Sequence, residues 1–223
     1  IIRAGYGKEI SQKDVQFENN YAGCKSNGVP VGAYWYSYAT NEAEARQEAA
    51  VCLQVLKGKT FEFPIYYDIE EKKQFALGKA ACTAIARAFL EIVEKAGYWV
   101  GLYSSTYFLQ YFESDLLKRY AVWVAQYGAK CTYPGQYGIW QKSSTGKVYG
   151  ISGNVDMNDC YVNYADSIRN AGLNGFRKST PASAPAAKPT QTTWKQGQKV
   201  QLYKGKTQLF ASDTTTSPSA YLT

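Results

Sequence analysis

Phe63-Pro64-Ile65-Tyr66-Tyr67-Asp68-Ile69-Glu70 is a short apolar and aromatic run that closes on two carboxylates. Its β-branched and aromatic residues, entered through a proline, read as a buried strand. Working outward, VPVGAYWYSYA (29–39) reads as a second strand before it, followed by a helical pattern over 41–57. After it comes another helix, over 77–96, with Leu77, Ala81, Ile85, Ala88, Phe89 and Ile92 on one face. Asn41 with Glu44 forms a capping-box pattern for the first of these helices, and Gly97 supplies a left-handed stop for the second.

The alternation extends in both directions. IIRAGYG (1–7) precedes a helix near 14–27; WVGLYSS (99–105) precedes one near 106–117; YAVWVAQYG, YGIWQKSS and GNVDMNDCY follow, with a closing helix to about residue 171. Strand–helix alternation of this kind predicts an α/β fold with a parallel sheet covered by helices. Seven strands can be counted, and an eight-stranded, TIM-like β/α barrel closes such a series without edges. The chain opens on an apolar strand without methionine, so one further strand is expected upstream.

Residues 1–176 carry 18 basic and 17 acidic side chains, whereas 177–223 carry seven basic residues and one acidic residue, Asp213. The segment KSTPASAPAAKPTQTT (178–193) holds three of the seven prolines and no large apolar residue, and reads as an extended linker. Residues 194–223 show short alternating strand patterns, too few for an independent core, and read as the start of a small β module. Three parts are therefore expected: a catalytic barrel over 1–176, a linker over 177–193 and the beginning of the module over 194–223.

Composition prunes the chemistry. There is no histidine, which excludes Ser-His-Asp and Cys-His catalysis and every His-ligated zinc site on this chain. The five cysteines are odd in number, widely spaced and form no C-x-x-C pair; they read as buried thiols. No run approaches the ~18 apolar residues of a membrane span. The basic tail lacks stacking aromatics at regular spacing, so it points to an anionic wall polymer or a solubilising linker rather than nucleic acid.

A parallel barrel places its active site at the C-terminal ends of its strands. Asp68 and Glu70, two apart on a strand, leave the same face and can address one substrate atom. Burial and like-charge repulsion raise the pKa of such a pair and keep a proton available for general acid catalysis, the requirement for cleaving a glycosidic bond. Other strand ends carry Arg3, Tyr34, Tyr36, Tyr103, Trp123 with Gln126 and Tyr127, Trp140 with Gln141, and Asp156. Aromatic faces stack on sugar rings, while Arg, Gln and Asp bond hydroxyl and acetamido groups.

Together IIRAGYG, VGAYWYSYATNEAEARQEA, PIYYDIE, GLYSS, VWVAQYG, IWQKSS and NVDMNDCY resemble glycoside hydrolase family 25, the Chalaropsis-type lysozymes and endolysins. The resemblance implies a modified β/α barrel that hydrolyses the β-1,4 bond between N-acetylmuramic acid and N-acetylglucosamine. It implies Glu70 as general acid, Asp68 as partner carboxylate, Asp156 as a further active-site aspartate, and Tyr34, Tyr103, Trp123 and Gln141 as substrate contacts. The family's first strand, with an active-site aspartate, falls before Ile1. The tail resembles the opening of an SH3-like wall-binding module. The expected partner is bacterial peptidoglycan, attacked outside the cell or in the wall by a monomer without cofactor, metal, nucleic acid or membrane insertion. Competing readings are a chitinase-like glycosidase or glucosaminidase, and a glycan-binding protein without turnover.

Overall fold

Period-two alternation builds a sheet that packs differently on its two faces, and the structure, a computed structural model, follows it closely. Residues 1–177, 207–210 and 218–222 are described. Contacts divide the chain into two compact units, Ile1–Thr180 and Pro181–Thr223.

The first unit runs β1 (Ile2–Tyr6), a 3-10 turn (Ile10–Gln12), α1 (Phe17–Ser26), β2 (Ala33–Tyr36), α2 (Glu42–Leu56), β3 (Ile65–Asp68), α3 (Lys72–Phe75) and α4 (Lys79–Lys95). It continues with β4 (Val100–Ser105), α5 (Thr106–Leu109), α6 (Ser114–Arg119), β5 (Ala121–Ala125), β6 (Ile139–Gly146), β7 (Val155–Cys160) and α7 (Tyr164–Ala171). The seven strands form one sheet in chain order. All seven coincide with the strands read from sequence. The fold is mixed α/β, a curled half-barrel.

One expectation about the sheet needs correction. The pairs from β1 to β6 are parallel, but β7 runs antiparallel to β6, so the sheet is not wholly parallel. Only residues 147–154 connect these two strands, too short a stretch for a crossover, so the chain turns straight back, whereas the longer connection 126–138 lets β6 run parallel to β5.

The outer face of the sheet carries Trp35, Ile65, Tyr67, Leu102, Val122, Val124 and Trp140, packed in one core with Phe89, Ala86 and Cys52 of the covering helices. The Tyr67 and Phe89 rings stack at 3.8 Å with an interplanar angle of 6°. The inner face carries Tyr66, Tyr103, Trp123 and Ile139, with Tyr34 and Phe63 against them. Gly101 lies between Tyr66 and Ala121 in the register, and a Cβ there would strike the Tyr66 ring and the Ala121 carbonyl. The glycine in this strand thus makes room for an inward tyrosine.

Helix ends follow the local signals in most places. Asn41 caps α2, its side chain accepting from the Glu44 amide at 3.0 Å. Gly97 adopts φ 91° after α4. The helix expected over 77–96 begins later, because Gly78 at φ 86° is its N-cap, and Leu77 stays exposed rather than on the buried face. The helix expected over 106–117 is two short ones. Between them Phe112 is buried and the Glu113 amide donates to Thr83 Oγ1 at 2.9 Å, a tertiary bond in place of the helical one.

The five cysteines are free, yet only Cys52 and Cys82 are fully buried and Cys160 is exposed, against the expectation of buried thiols throughout. Among the described residues no helix is long and apolar enough to cross a membrane. From residue 178 the linker lies outside the described residues. Of the module over 194–223, only β8 (Thr207–Phe210) and β9 (Pro218–Leu222) are described, paired antiparallel.

Candidate active site

Strand register sets a row of side chains across the sheet: Tyr36 beside Asp68, Asp68 beside Tyr103, Tyr103 beside Trp123 and Trp123 beside Ile139. Asp68 ends β3 on the inner face. Ile69 turns into the outer core, so the alternation continues through the bend and Glu70 leaves on the same side as Asp68.

Asp68 is only 5% exposed, and its Oδ1 has no hydrogen-bond partner. Burial, and then the charge of Glu70, hold its carboxyl well above the usual carboxylate range. An ionised carboxylate with an orphaned oxygen is expensive in such a place, so the neutral acid is favoured. Glu70 is half-buried, and its pKa is raised by burial, then by Glu71 and by Asp156. Both groups therefore hold protons at higher pH than free carboxyls do.

Asp156 stands on β7 and faces a cleft of about 690 Å³ that also borders Arg3, Tyr34, Phe63, Trp123 and Asn158. Of the residues singled out from sequence, Arg3, Tyr34, Trp123 and Asp156 line this cleft; Asp68 and Glu70 do not form its wall. They reach it electrostatically. Tyr34, on the wall, has its hydroxyl pushed up to about 12 by burial and then by Asp68, with a smaller push from Asp156. The Tyr103 hydroxyl is raised by burial and by Glu70, Asp68 and Asp156 in turn. The three acids thus act on one patch.

The remaining polar groups are held in place by one another. Tyr103 donates to Gln141 Oε1 at 2.9 Å, and the exposed Tyr127 donates to the same oxygen at 3.1 Å. Trp123 packs edge-on against Tyr103 at 4.6 Å and donates Nε1 to Asn158 Oδ1 at 2.8 Å. Tyr36 donates to Glu71 Oε1 at 2.8 Å. Arg3 is exposed and paired with Asp14.

Two residues sit apart from this set. Gln126 is committed to the loop after β5, accepting from the Thr132 amide and from Thr106 Oγ1 and donating to Thr132 Oγ1. Trp140 faces the outer core, its Nε1 bonded to the Gln126 carbonyl at 2.7 Å. Asn158 and Glu71 escaped the sequence reading, although Asn158 shares the face of Asp156 by simple alternation. Among the described residues no group of three Cys, Asp or Glu side chains is placed to hold a metal ion.

Comparison with known proteins settles the lineage of this arrangement. The model for glycosyl hydrolases family 25 matches residues 1–151. The chain belongs to that family. It is 30% identical over 166 residues to the YegX protein of Escherichia coli strain K12, covering 71% of this chain and 57% of that one. It is 26% identical over 153 residues to an autolytic lysozyme of Clostridium acetobutylicum, covering 67% of this chain and 45% of that one. The solved CTP1L endolysin superposes with a TM-score of 0.66 at 29% identity, covering 76% of this chain and 60% of that structure. The matched part of the family 25 chain therefore spans between 45% and 60% of the length of these relatives.

Proposed function

We propose that this family 25 chain is the catalytic part of a peptidoglycan hydrolase. In this reading it is an N-acetylmuramidase that cleaves the β-1,4 bond between N-acetylmuramic acid and N-acetylglucosamine and works on the bacterial cell wall as a monomer. The observation that carries the reading is the buried carboxyl of Asp68, with its unpartnered Oδ1, beside a proton-holding Glu70 at the end of β3.

The roles follow from the surroundings. Glu70, half-buried and held toward its protonated form, donates to the leaving glycosidic oxygen. Asp68 lacks one donor, and the acetamido N–H of the substrate is a donor of the right kind; that bond would orient the acetamido oxygen toward the anomeric carbon. Asp156 adds negative charge facing the developing oxocarbenium ion. Tyr34 and Trp123 stack on sugar faces, Tyr103, Tyr127 and Gln141 bond hydroxyl or acetamido groups, and Arg3 and Tyr36 flank the groove. Gln126 contributes through the loop it holds.

Acetamido participation retains anomeric configuration. NMR of the first-formed product should show the β anomer, and an α product would overturn this route while leaving the hydrolase reading intact.

For the architecture we propose a modified TIM-like β/α barrel. Six parallel strands in chain order support it, as does the cleft bordered by residues of both β1 and β7, the two outer strands of the sheet. We also propose 1–176 as the catalytic domain, 177–193 as a linker and 194–223 as the start of an SH3-like wall-binding module. The proline-rich composition, the cationic tail and the β8–β9 pair support that division.

The test is clearing of a purified peptidoglycan suspension, with Glu70→Gln as control. Clearing by the parent alone supports the hydrolase. Binding without clearing by either protein would favour a glycan-binding protein.

A further inference from the structure

Behind the bend that carries Glu70 lies a chain of buried polar groups from α2, β3, α3 and the loop after β2, none of which lines the cleft. Glu48 of α2 is 1% exposed, and Ser37, Tyr67 and Gln74 are fully buried. The Gln74 amide nitrogen donates to Ser37 Oγ at 2.9 Å and to the Ala39 carbonyl at 2.9 Å. Ser37 donates to the Tyr67 hydroxyl at 2.8 Å, and Tyr67 donates to Glu48 Oε2 at 2.6 Å. The other carboxylate oxygen, Oε1, accepts the Tyr38 amide at 2.9 Å.

The direction of this relay is fixed by counting protons. Each hydroxyl has one proton to give, and an ionised carboxylate only accepts. The Ala39 carbonyl can only accept and the Glu71 amide can only donate, so Gln74 turns its nitrogen toward Ala39 and Ser37; Ser37 then points its proton at Tyr67, and Tyr67 points its own at Glu48, which has to accept it. The Gln74 carbonyl oxygen faces the Glu71 amide, which donates to it at 3.1 Å. Glu71 follows Glu70 directly, and its carboxylate is pinned by Tyr36. On the strand side, the Ser37 amide donates to the Asp68 carbonyl at 2.9 Å.

We propose that Glu48 is a positioning residue for the Asp68–Glu70 bend: as the acceptor that ends the relay through Tyr67 and Ser37 it holds the Gln74 amide in place, and Gln74 holds the backbone immediately after Glu70. Its kinetic consequence rests on the glycosidase reading, with Glu70 as the acid. Glu48→Gln supplies one accepting oxygen where two donors converge, so either Tyr67 or Tyr38 loses its acceptor and the relay loses its anchored end. Tyr67→Phe deletes only the linking hydroxyl and keeps the ring stacked on Phe89, which makes it the variant whose folding is safest.

The experiment has two arms on both variants. In amide hydrogen exchange, the Glu71 amide should exchange about tenfold faster than in the parent while β4 amides stay within about twofold. In steady-state hydrolysis of peptidoglycan, kcat should fall about tenfold with KM changed less than about twofold. A residue that only stabilises the fold would lower the melting temperature and leave both readings at parent values, and that result overturns the proposal. A parent that does not hydrolyse peptidoglycan refutes the glycosidase reading instead. The exchange arm needs no turnover, so faster Glu71 exchange then still supports the relay and unchanged exchange still overturns it.

Discussion

The indole Nε1 of Trp123 donates to Oδ1 of Asn158 at 2.8 Å, joining β5 to β7 across the intervening β6. Both residues border the cleft, and Asp156 shares the face of Asn158. Asn158→Ala should free the indole and let the aromatic wall rotate. We expect a stability loss of about 1 kcal/mol in chemical denaturation. Affinity for a peptidoglycan fragment should fall about fivefold by calorimetry. Parent-like affinity would show that this bond does not shape the groove.

Gln141 receives two hydroxyl protons on one oxygen, from a buried tyrosine and an exposed one. Tyr103 is fixed by its packing against Trp123, so Tyr103→Phe should lower kcat/KM about tenfold. Tyr127 is 58% exposed, and its hydroxyl competes with water. Tyr127→Phe should cost less than about threefold in the same assay. The reverse order of effects would contradict the geometry.

The acid limb of the chemistry can be moved by one charge. After burial, Glu71 is the next largest cause of the raised Glu70 pKa. A negative neighbour disfavours ionisation, so Glu71→Gln should lower the Glu70 pKa and shift the alkaline fall of kcat/KM toward lower pH. The glutamine oxygen still accepts from Tyr36, which keeps the bend in place. A pH–rate profile with an unmoved or alkaline-shifted limb would remove Glu70 from the role of general acid.

Asp68 should weaken the fold that carries it. Its folded pKa lies above the reference value of 3.8, so the native state holds this proton more tightly than the unfolded chain does. The contribution to stability is fully present below that reference value and is lost as pH rises toward the folded pKa. Asp68→Asn should therefore match the parent near pH 3 and gain on it with rising pH, by about 1 kcal/mol or more at neutrality. Thermal denaturation at several pH values measures this, and a destabilised variant at neutral pH would contradict it.

Much of this was legible from residue order because period-two alternation is strong in aromatic strands. Alternation located all seven strands and put Asp68 and Glu70 on one side. It could not say that β7 turns back, since a strand's direction depends on what connects it rather than on its own pattern. It could not decide between Trp140 and Gln141, neighbours on β6 of which only one can face inward; register chose Gln141. Gln126 looked equally eligible, but it lies past the end of β5, where loop bonds to Thr106 and Thr132 claim it. Glu48 read as one more charge on an amphipathic helix, because its partners come from distant segments and no local spacing announces them.

The most direct measurement is the identity of the sugar at each newly created chain end, read by mass spectrometry after borohydride reduction of digested, purified peptidoglycan. Muramitol in the parent digest and its absence with Glu70→Gln are the predicted pair of results. Glucosaminitol at the new ends, or muramitol produced equally by the variant, would contradict the assignment of a muramidase acting through Glu70.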